Sequence, residues 1–268
     1  MPIDCQYDDD PLIGLNFQFQ PILGADGKRL LAYETLVRRS HKDGTIEGPA
    51  GILPALMKPN RIEAFTRYSL EFALTRLDSD PYLPALSVNL SPRQVELAVT
   101  NEVIARAPIA LRRRLMVELT EDPIYDHISL TYVLHGLTAL GVRIFLDDIT
   151  PRSAQRFTAL RSVVHGLKLD RSLLASLAAS NLTEAVTDLI DAANKAGLLL
   201  VAEGVEDTDV LPRLAARGIA FFQGFALGEP WSEPKVARRR ILAPRSASLM
   251  PEPEFVTALA GARSGKLN

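Results

Sequence analysis

The sequence predicts an α/β fold, a (β/α)₈ TIM-like barrel with an irregular opening hairpin, and three observations carry that reading. Short apolar runs rich in β-formers alternate with stretches of helical spacing, a rhythm that implies a parallel sheet with right-handed crossovers. The number of such runs suits an eight-stranded barrel. A chain of 268 residues, 47% of them hydrophobic, can bury one barrel-sized core as a single domain. A doubly wound open sheet is the alternative.

Leu15 to Gln20 alternates like a half-buried strand. Gly24-Ala25-Asp26-Gly27 supplies turn residues, and a second strand runs from Leu30 to Leu36, completing a hairpin. A Gly/Pro-bearing loop spans Gly44 to Pro49, and Arg61 to Leu77 has apolar residues at helical spacing. Leu86 to Leu90 is the next strand, followed by a helix that starts at Ser91-Pro92, where a Ser cap precedes Pro. Leu115 to Leu119 is a strand, Ser129 to Leu140 a helix, and Gly141 its left-handed C-cap. The strand Val142 to Asp148 comes next, then His165 to Leu169. A helix from Leu182 to Ala196 is closed by Gly197, and Leu198 to Ala202, a helix from Thr208 to Ala216 and the strand Ile219 to Phe222 complete the rhythm. Residues 1–14 read as an N-terminal extension, 15–242 as the barrel domain, and 243–268 as a Ser/Pro/Gly-rich tail in which Phe255 to Ala262 can form a short helix.

Composition narrows the function. A net charge of −2 gives no electrostatic case for binding a nucleic-acid polymer or an anionic membrane, and the triplets Arg112-Arg113-Arg114 and Arg238-Arg239-Arg240 are local. Cys5 is the only cysteine, so no internal disulfide forms. The start lacks the basic and apolar regions of a signal peptide, and no stretch reaches the roughly 18 to 20 apolar residues of a membrane span. The expectation is a cytoplasmic protein without membrane insertion. No sensory, receiver or cyclase segment is visible, and a homodimer or a regulatory protein partner stays open.

Barrel chemistry sits at the C-terminal ends of the strands. Those ends carry, in order, Glu34, Asn89, Glu118, Asp147 with Asp148, Lys168, Glu203 and Gln223. An Asp-Asp pair after a strand is commonly just a loop or a helix cap; here the same placement recurs on strand after strand. Glu34, Asn89, Glu118 and Asp147 are hard oxygen donors suited to Mg²⁺ or Mn²⁺, and Asp148 and Glu203 can hold a second ion. None of the four histidines lies at these strand ends. Two cations about 3.5 to 4 Å apart suit phosphoryl chemistry, because they activate water and neutralise the scissile phosphate. Lys168 is one of only seven lysines against 23 arginines and sits inside an apolar strand, where an unpaired ammonium is costly. A surface lysine snorkelling to solvent is the bland alternative.

These residues resemble those of the EAL domain of bacterial cyclic di-GMP phosphodiesterases, from about Phe17 to Pro230. Phe19-Gln20-Pro21-Ile22 is similar to the opening strand of that family. Tyr33-Glu34-Thr35-Leu36-Val37-Arg38 occupies the naming motif, with Thr35 where Ala is usual. Val88-Asn89-Leu90-Ser91, Val117-Glu118-Leu119-Thr120-Glu121, Leu146-Asp147-Asp148, Leu167-Lys168-Leu169-Asp170, Val201 to Glu206 and Phe222-Gln223-Gly224-Phe225 follow in register. The resemblance implies the EAL fold and hydrolysis of cyclic di-GMP to linear pGpG by a metal-activated water. Glu34, Asn89, Glu118 and Asp147 would then ligate a first Mg²⁺ or Mn²⁺, with Asp147 and Asp148 serving a second. Lys168 and Glu203 would position or deprotonate water, and Glu121 would brace the loop after Asp148. Gln20, Arg38, Gln223 and Glu206 would contact the dinucleotide.

The segment after the two aspartates departs from the family's Phe-Gly-Thr-Gly-Tyr: Ile149-Thr150-Pro151-Arg152-Ser153 lacks both glycines and the tyrosine. Pro151 fixes its own φ and restricts Thr150, so the loop takes another path. The competing readings are therefore a non-hydrolysing cyclic di-GMP receptor or protein-interaction module and, outside the family, a barrel lyase or aldolase using Lys168 as Schiff base. The last needs far fewer oxygen ligands than the strand ends supply.

Overall fold

The computed structural model describes residues 12–150, 153–178 and 183–234. Cys5, Pro151, Arg152, the expected helix start at Leu182, Arg238 to Arg240 and the tail 243–268 lie outside the described residues. The opening hairpin pairs β1 (Leu15–Gly24) antiparallel with β2 (Leu30–Ser40). Its turn places Gly27 at φ +63°, and the Asp26 carboxylate accepts the Lys28 and Arg29 amides. Both strands outrun their expected ends. Where a loop was expected after Gly44, a two-residue strand β3 (Ile46–Glu47) and helix α1 (Pro49–Leu56) stand. Pro49 suits the first helical turn, but Pro54 inside α1 removes a donor and hides the helix from a reading of sequence.

The rest follows the expected rhythm. Helix α2 (Ile62–Ser79) leads to β4 (Leu86–Leu90). The Ser91-Pro92 start is real, with a capping box between Ser91 and Gln94, but the stretch splits into α3 (Pro92–Val95), α4 (Ala98–Arg106) and α5 (Ile109–Arg112). Then come β5 (Leu115–Leu119), α6 (His127–Ala139) capped by Asp126, and β6 (Arg143–Ile149). Helix α7 (Ala154–Leu160), unanticipated, precedes β7 (Gly166–Leu169), and α8 (Arg171–Ala178), also unanticipated, follows it. Helix α9 (Glu184–Lys195), β8 (Leu199–Ala202), α10 (Leu211–Ala215) and β9 (Phe221–Phe222) complete the described chain.

The sheet order is β1-β9-β8-β7-β6-β5-β4-β2-β3, and the additional β1–β2 pairing closes an eight-stranded barrel with β3 outside it. Closure rules out the open doubly wound sheet. From β2 through β9 the barrel neighbours run parallel; β1 is antiparallel to both of its own.

Strand alternation sorts the side chains. Val117, Leu119, Ile144 and Leu146 join the apolar layer that packs under the helices. Ile22, Ala32, Ala85, Met116, Phe145, Leu199, Val201 and Phe221 form a separate apolar cluster, an inner plug. Gly166 makes room for the largest of them: a Cβ there would meet the Phe145 ring at 2.2 Å. One alternation further toward the mouth, Ile22 gives way to Gln20, Ala32 to Glu34, Met116 to Glu118, Phe145 to Asp147, Gly166 to Lys168, Val201 to Glu203 and Phe221 to Gln223. The polar layer is therefore the next rung of the strands that build the plug.

Candidate active site

Lys168 stands at the centre of that layer, 1% exposed. Its Nζ lies 2.6 Å from Glu203 Oε1, 2.8 Å from Glu118 Oε2, 3.0 Å from Asp147 Oδ1 and 3.3 Å from Glu34 Oε2. The surface-lysine alternative is thus excluded. Burial opposes its charge, yet the carboxylates of Asp147, Glu118, Glu203 and Glu34 together hold the ammonium well above the ordinary lysine range.

The carboxyls divide according to their hydrogen bonds. Glu34 accepts from Asn89 Nδ2 at 2.7 Å and from Gln223 Nε2 at 2.6 Å, besides Lys168. Burial pushes it up, but Lys168 and these donors win and hold it below the usual carboxylate range. Glu118 has Lys168 as its hydrogen-bond donor, so burial and the charge of Glu34 drive it well above that range. Burial, with Asp147 and Glu34 adding, pushes Glu203 up to about 8. Burial, then Asp147, Glu121 and Asp170, push Asp148 to about 6.

Gln223 also donates to Gln20 Oε1, and Gln20 to Gly228 O, so Gln20 joins the same network. The register of β6 against β7 shifts between Leu146 and Ile149, and Asp148 has φ 50°; this irregularity lets two consecutive aspartates line one cavity. That cavity, about 670 Å³, runs from Glu34, Asn89, Asp147 and Asp148 to an apolar wall of Leu36, Leu53, Pro54 and Met57. Glu121 forms part of its edge. Thr35, unusual beside Glu34, donates its hydroxyl to Ser87 O at 2.6 Å on the neighbouring strand, which satisfies the added polar group.

Arg38 is further up β2, with Nε donating to Gln18 Oε1 and an Nη to Val37 O. Glu206 stands apart, exposed on the rim and paired with Arg171 at 2.7 Å. Glu206 and Arg171 border a second recess with Gln20, Glu34, Glu203, Gln223 and Phe225. Arg171 directly follows the Lys168-Leu169-Asp170 strand end, so its place was legible. Arg156, on the unanticipated α7, donates to Asp147 O at 3.0 Å and had no such signal.

The residues present suit a hard divalent cation. Three buried oxygens of the expected ligand set, Asn89 Oδ1, Glu118 Oε1 and Asp147 Oδ1, have no hydrogen-bond partner, though the last lies 3.0 Å from Lys168 Nζ. Among the described residues no group of three or more His, Cys, Asp or Glu side chains is arranged to hold a metal ion; the carboxylates of Glu34, Glu118, Asp147 and Glu203 each contact Lys168.

Comparison with known proteins decides the family: the EAL domain profile matches residues 13–230. The chain belongs to the EAL domain family. Among EAL relatives, the cyclic di-GMP phosphodiesterase PA2567 of Pseudomonas aeruginosa is 28% identical over 233 residues, covering 81% of this chain and 38% of that protein. MucR of the same organism, a bifunctional diguanylate cyclase/cyclic di-GMP phosphodiesterase, is 28% identical over 227 residues, covering 81% and 33%. The structure of the PaMucR phosphodiesterase in complex with c-di-GMP superposes with TM-score 0.67 at 26% identity, covering 81% of this chain and 92% of that one. An EAL domain protein from Listeria monocytogenes shares the fold, with TM-score 0.71 at 20% identity over 82% and 89% of the two chains. The matches span well under half the length of several curated relatives, 27%, 42% and 28% of three of them. No described helix is long and apolar enough to cross a membrane.

Proposed function

We propose that this EAL domain hydrolyses cyclic di-GMP to linear pGpG. The observation that carries the reading is the convergence of Glu34, Glu118, Asp147 and Glu203 on one buried ammonium, with Asn89 and Gln223 bonded to Glu34, in a family whose relatives are named for this reaction. Glu34, Asn89, Glu118 and Asp147 would hold a first Mg²⁺ or Mn²⁺, and Asp147 with Asp148 a second. Bound there, such ions lower the pKa of water and neutralise phosphate charge.

The chain's own groups do the rest. Lys168 keeps its proton and fixes the four carboxylates around it. Glu203, whose carboxylate lies 2.6 Å from the Lys168 ammonium, accepts a proton from the attacking water in its ionised form and returns it to the leaving oxygen. Arg38 and Gln20 orient the dinucleotide, the guanidinium of Arg38 matching a phosphate in charge and planarity. Gln223 holds Glu34 and Gln20 in register, Glu121 lines the cavity beside Asp148, and Glu206 meets the ligand at the rim.

A second reading, a receptor that binds without turnover, is favoured by the segment Ile149–Ser153, in which the family's glycines are replaced. Incubation of the purified chain with cyclic di-GMP and either Mg²⁺ or Mn²⁺ separates them. Release of pGpG is the expected result. Binding of the nucleotide with no product from either ion establishes the receptor, and neither binding nor product ends both.

A further inference from the structure

One charged side chain that neither the motifs nor the site residues above include reaches the mouth of the barrel. Arg156, on α7, donates through one Nη to Asp147 O at 3.0 Å and through the other to Leu119 O and Thr120 O. These carbonyls belong to the ends of two adjacent strands. The β5–β6 pairing runs out at Leu119 and Leu146, and β6 leaves its register with β7 just beyond. The barrel wall therefore parts at Asp147, just past the still-paired Glu118 and Leu119, and carbonyls where the ladder ends need donors from elsewhere. A guanidinium offers several donors in a rigid plane and can serve both strands at once; an ammonium is a single point of charge. Burial weakens the charge of Arg156, and the negative charges of Asp147, Glu121, Asp122 and Asp148 favour it. The backbone of Asp148 stands at φ 50°, the left-handed region that Asp and Asn enter more readily than other side-chain-bearing residues.

We propose that Arg156 is a positioning residue whose guanidinium bridges the ends of β5 and β6 and so sets the separation and direction of the Glu118 and Asp147 carboxylates. It acts through main-chain carbonyls. The inference rests on the reading of those two carboxylates as cation ligands. It also assigns a task to the helix that follows the departed segment: the bridge comes from α7, past Ile149–Ser153.

The test compares the whole chain with its Arg156→Lys and Arg156→Met variants, titrating each with Mn²⁺ alone and following free Mn²⁺ by electron paramagnetic resonance. Both variants are expected to unfold cooperatively and to bind Mn²⁺ about 10- to 100-fold more weakly than the parent, the usual consequence of removing a group that orients a ligand. Parental affinity in both variants overturns the proposal, leaving Arg156 a mere anchor of α7. So does full recovery in Arg156→Lys, which would make charge the agent rather than the bridge. If the variants fail to fold, the side-chain nitrogen resonances of Arg156 in the parent chain decide. Slow hydrogen exchange and hindered rotation are expected, and a freely rotating guanidinium sinks the idea. A parent chain that binds no Mn²⁺ defeats the cation reading, and the same resonances still judge the bridge.

Discussion

A single residue separates Phe145 from Asp147 and Met116 from Glu118, and that one alternation crosses from the inner plug of the barrel to its mouth. The plug is held by shape: Phe145 fills space that Gly166 vacates, with Met116, Val201 and Phe221 in the same cluster. The mouth is held by charge, four carboxyls closing on one ammonium, with Glu118 and Glu203 pushed above the usual carboxylate range by burial. One region is closed to water and indifferent to pH. The other gathers four carboxyls around one buried lysine, which is a poor way to build a core and a good way to hold cations and phosphate.

Lys168→Met tests this contrast most severely. Removing the ammonium leaves four carboxyls to repel one another, so a loss of about 3 to 5 kcal/mol at pH 8 is expected in urea unfolding. Hydrolysis should fall by at least about 10²-fold. Because the stranded carboxyls take up protons, stability should recover as pH falls; a deficit independent of pH would show that the mouth is held by packing after all. Phe145→Ala should cost a comparable 3 to 5 kcal/mol, roughly, by leaving a cavity. Its deficit should be the same at pH 5 and pH 8, and Mn²⁺ affinity should hardly change. A pH-dependent deficit there would mean that plug and mouth are one coupled unit.

The parent chain carries the same signature more weakly. Glu203 titrates near 8 in the folded state against an ordinary 4.5, and Asp148 near 6 against 3.8. Both are raised, so the unfolded chain gives up these protons first. Without added cations, stability should decline from about pH 4.5 up through 8, by on the order of a few kcal/mol. Glu203→Gln removes the larger part of that slope. If thermal melts of the variant and the parent decline in parallel, Glu203 is not the buried acid it is taken to be.

Much of this was legible in the sequence, for a stated reason. Strand ends at Glu34, Asn89, Glu118, Asp147, Lys168, Glu203 and Gln223 could be read because each follows an apolar run whose period of two is visible in one dimension. The structure brings those residues together. What stayed hidden depends on packing or on breaks in periodicity. Helix α1 carries Pro54; α7 has no side-chain cap; α8 is capped by Asp170, which in sequence reads as part of the strand end; and Arg156 looks like any solvated arginine until the ends of β5 and β6 are placed beside it. The role of Gly166, too, emerges only once Phe145 is known to occupy the space beside it.

The mildest test concerns the rim, where the mouth gives way to solvent. Glu206 and Arg171 pair at 2.7 Å, but their side chains are 61% and 66% exposed, so the pair contributes no more than about 1 kcal/mol. Glu206→Ala should leave the melting temperature almost unmoved and raise KM for cyclic di-GMP by about 10-fold with kcat preserved, the mark of a contact equal in ground and transition states. Preserved KM with a fall in kcat would extend the charged mouth outward to the rim. Water reaches this pair freely, whereas the Glu34–Lys168 contact is shielded; raising the salt concentration should therefore mimic Glu206→Ala and leave Lys168 unaffected.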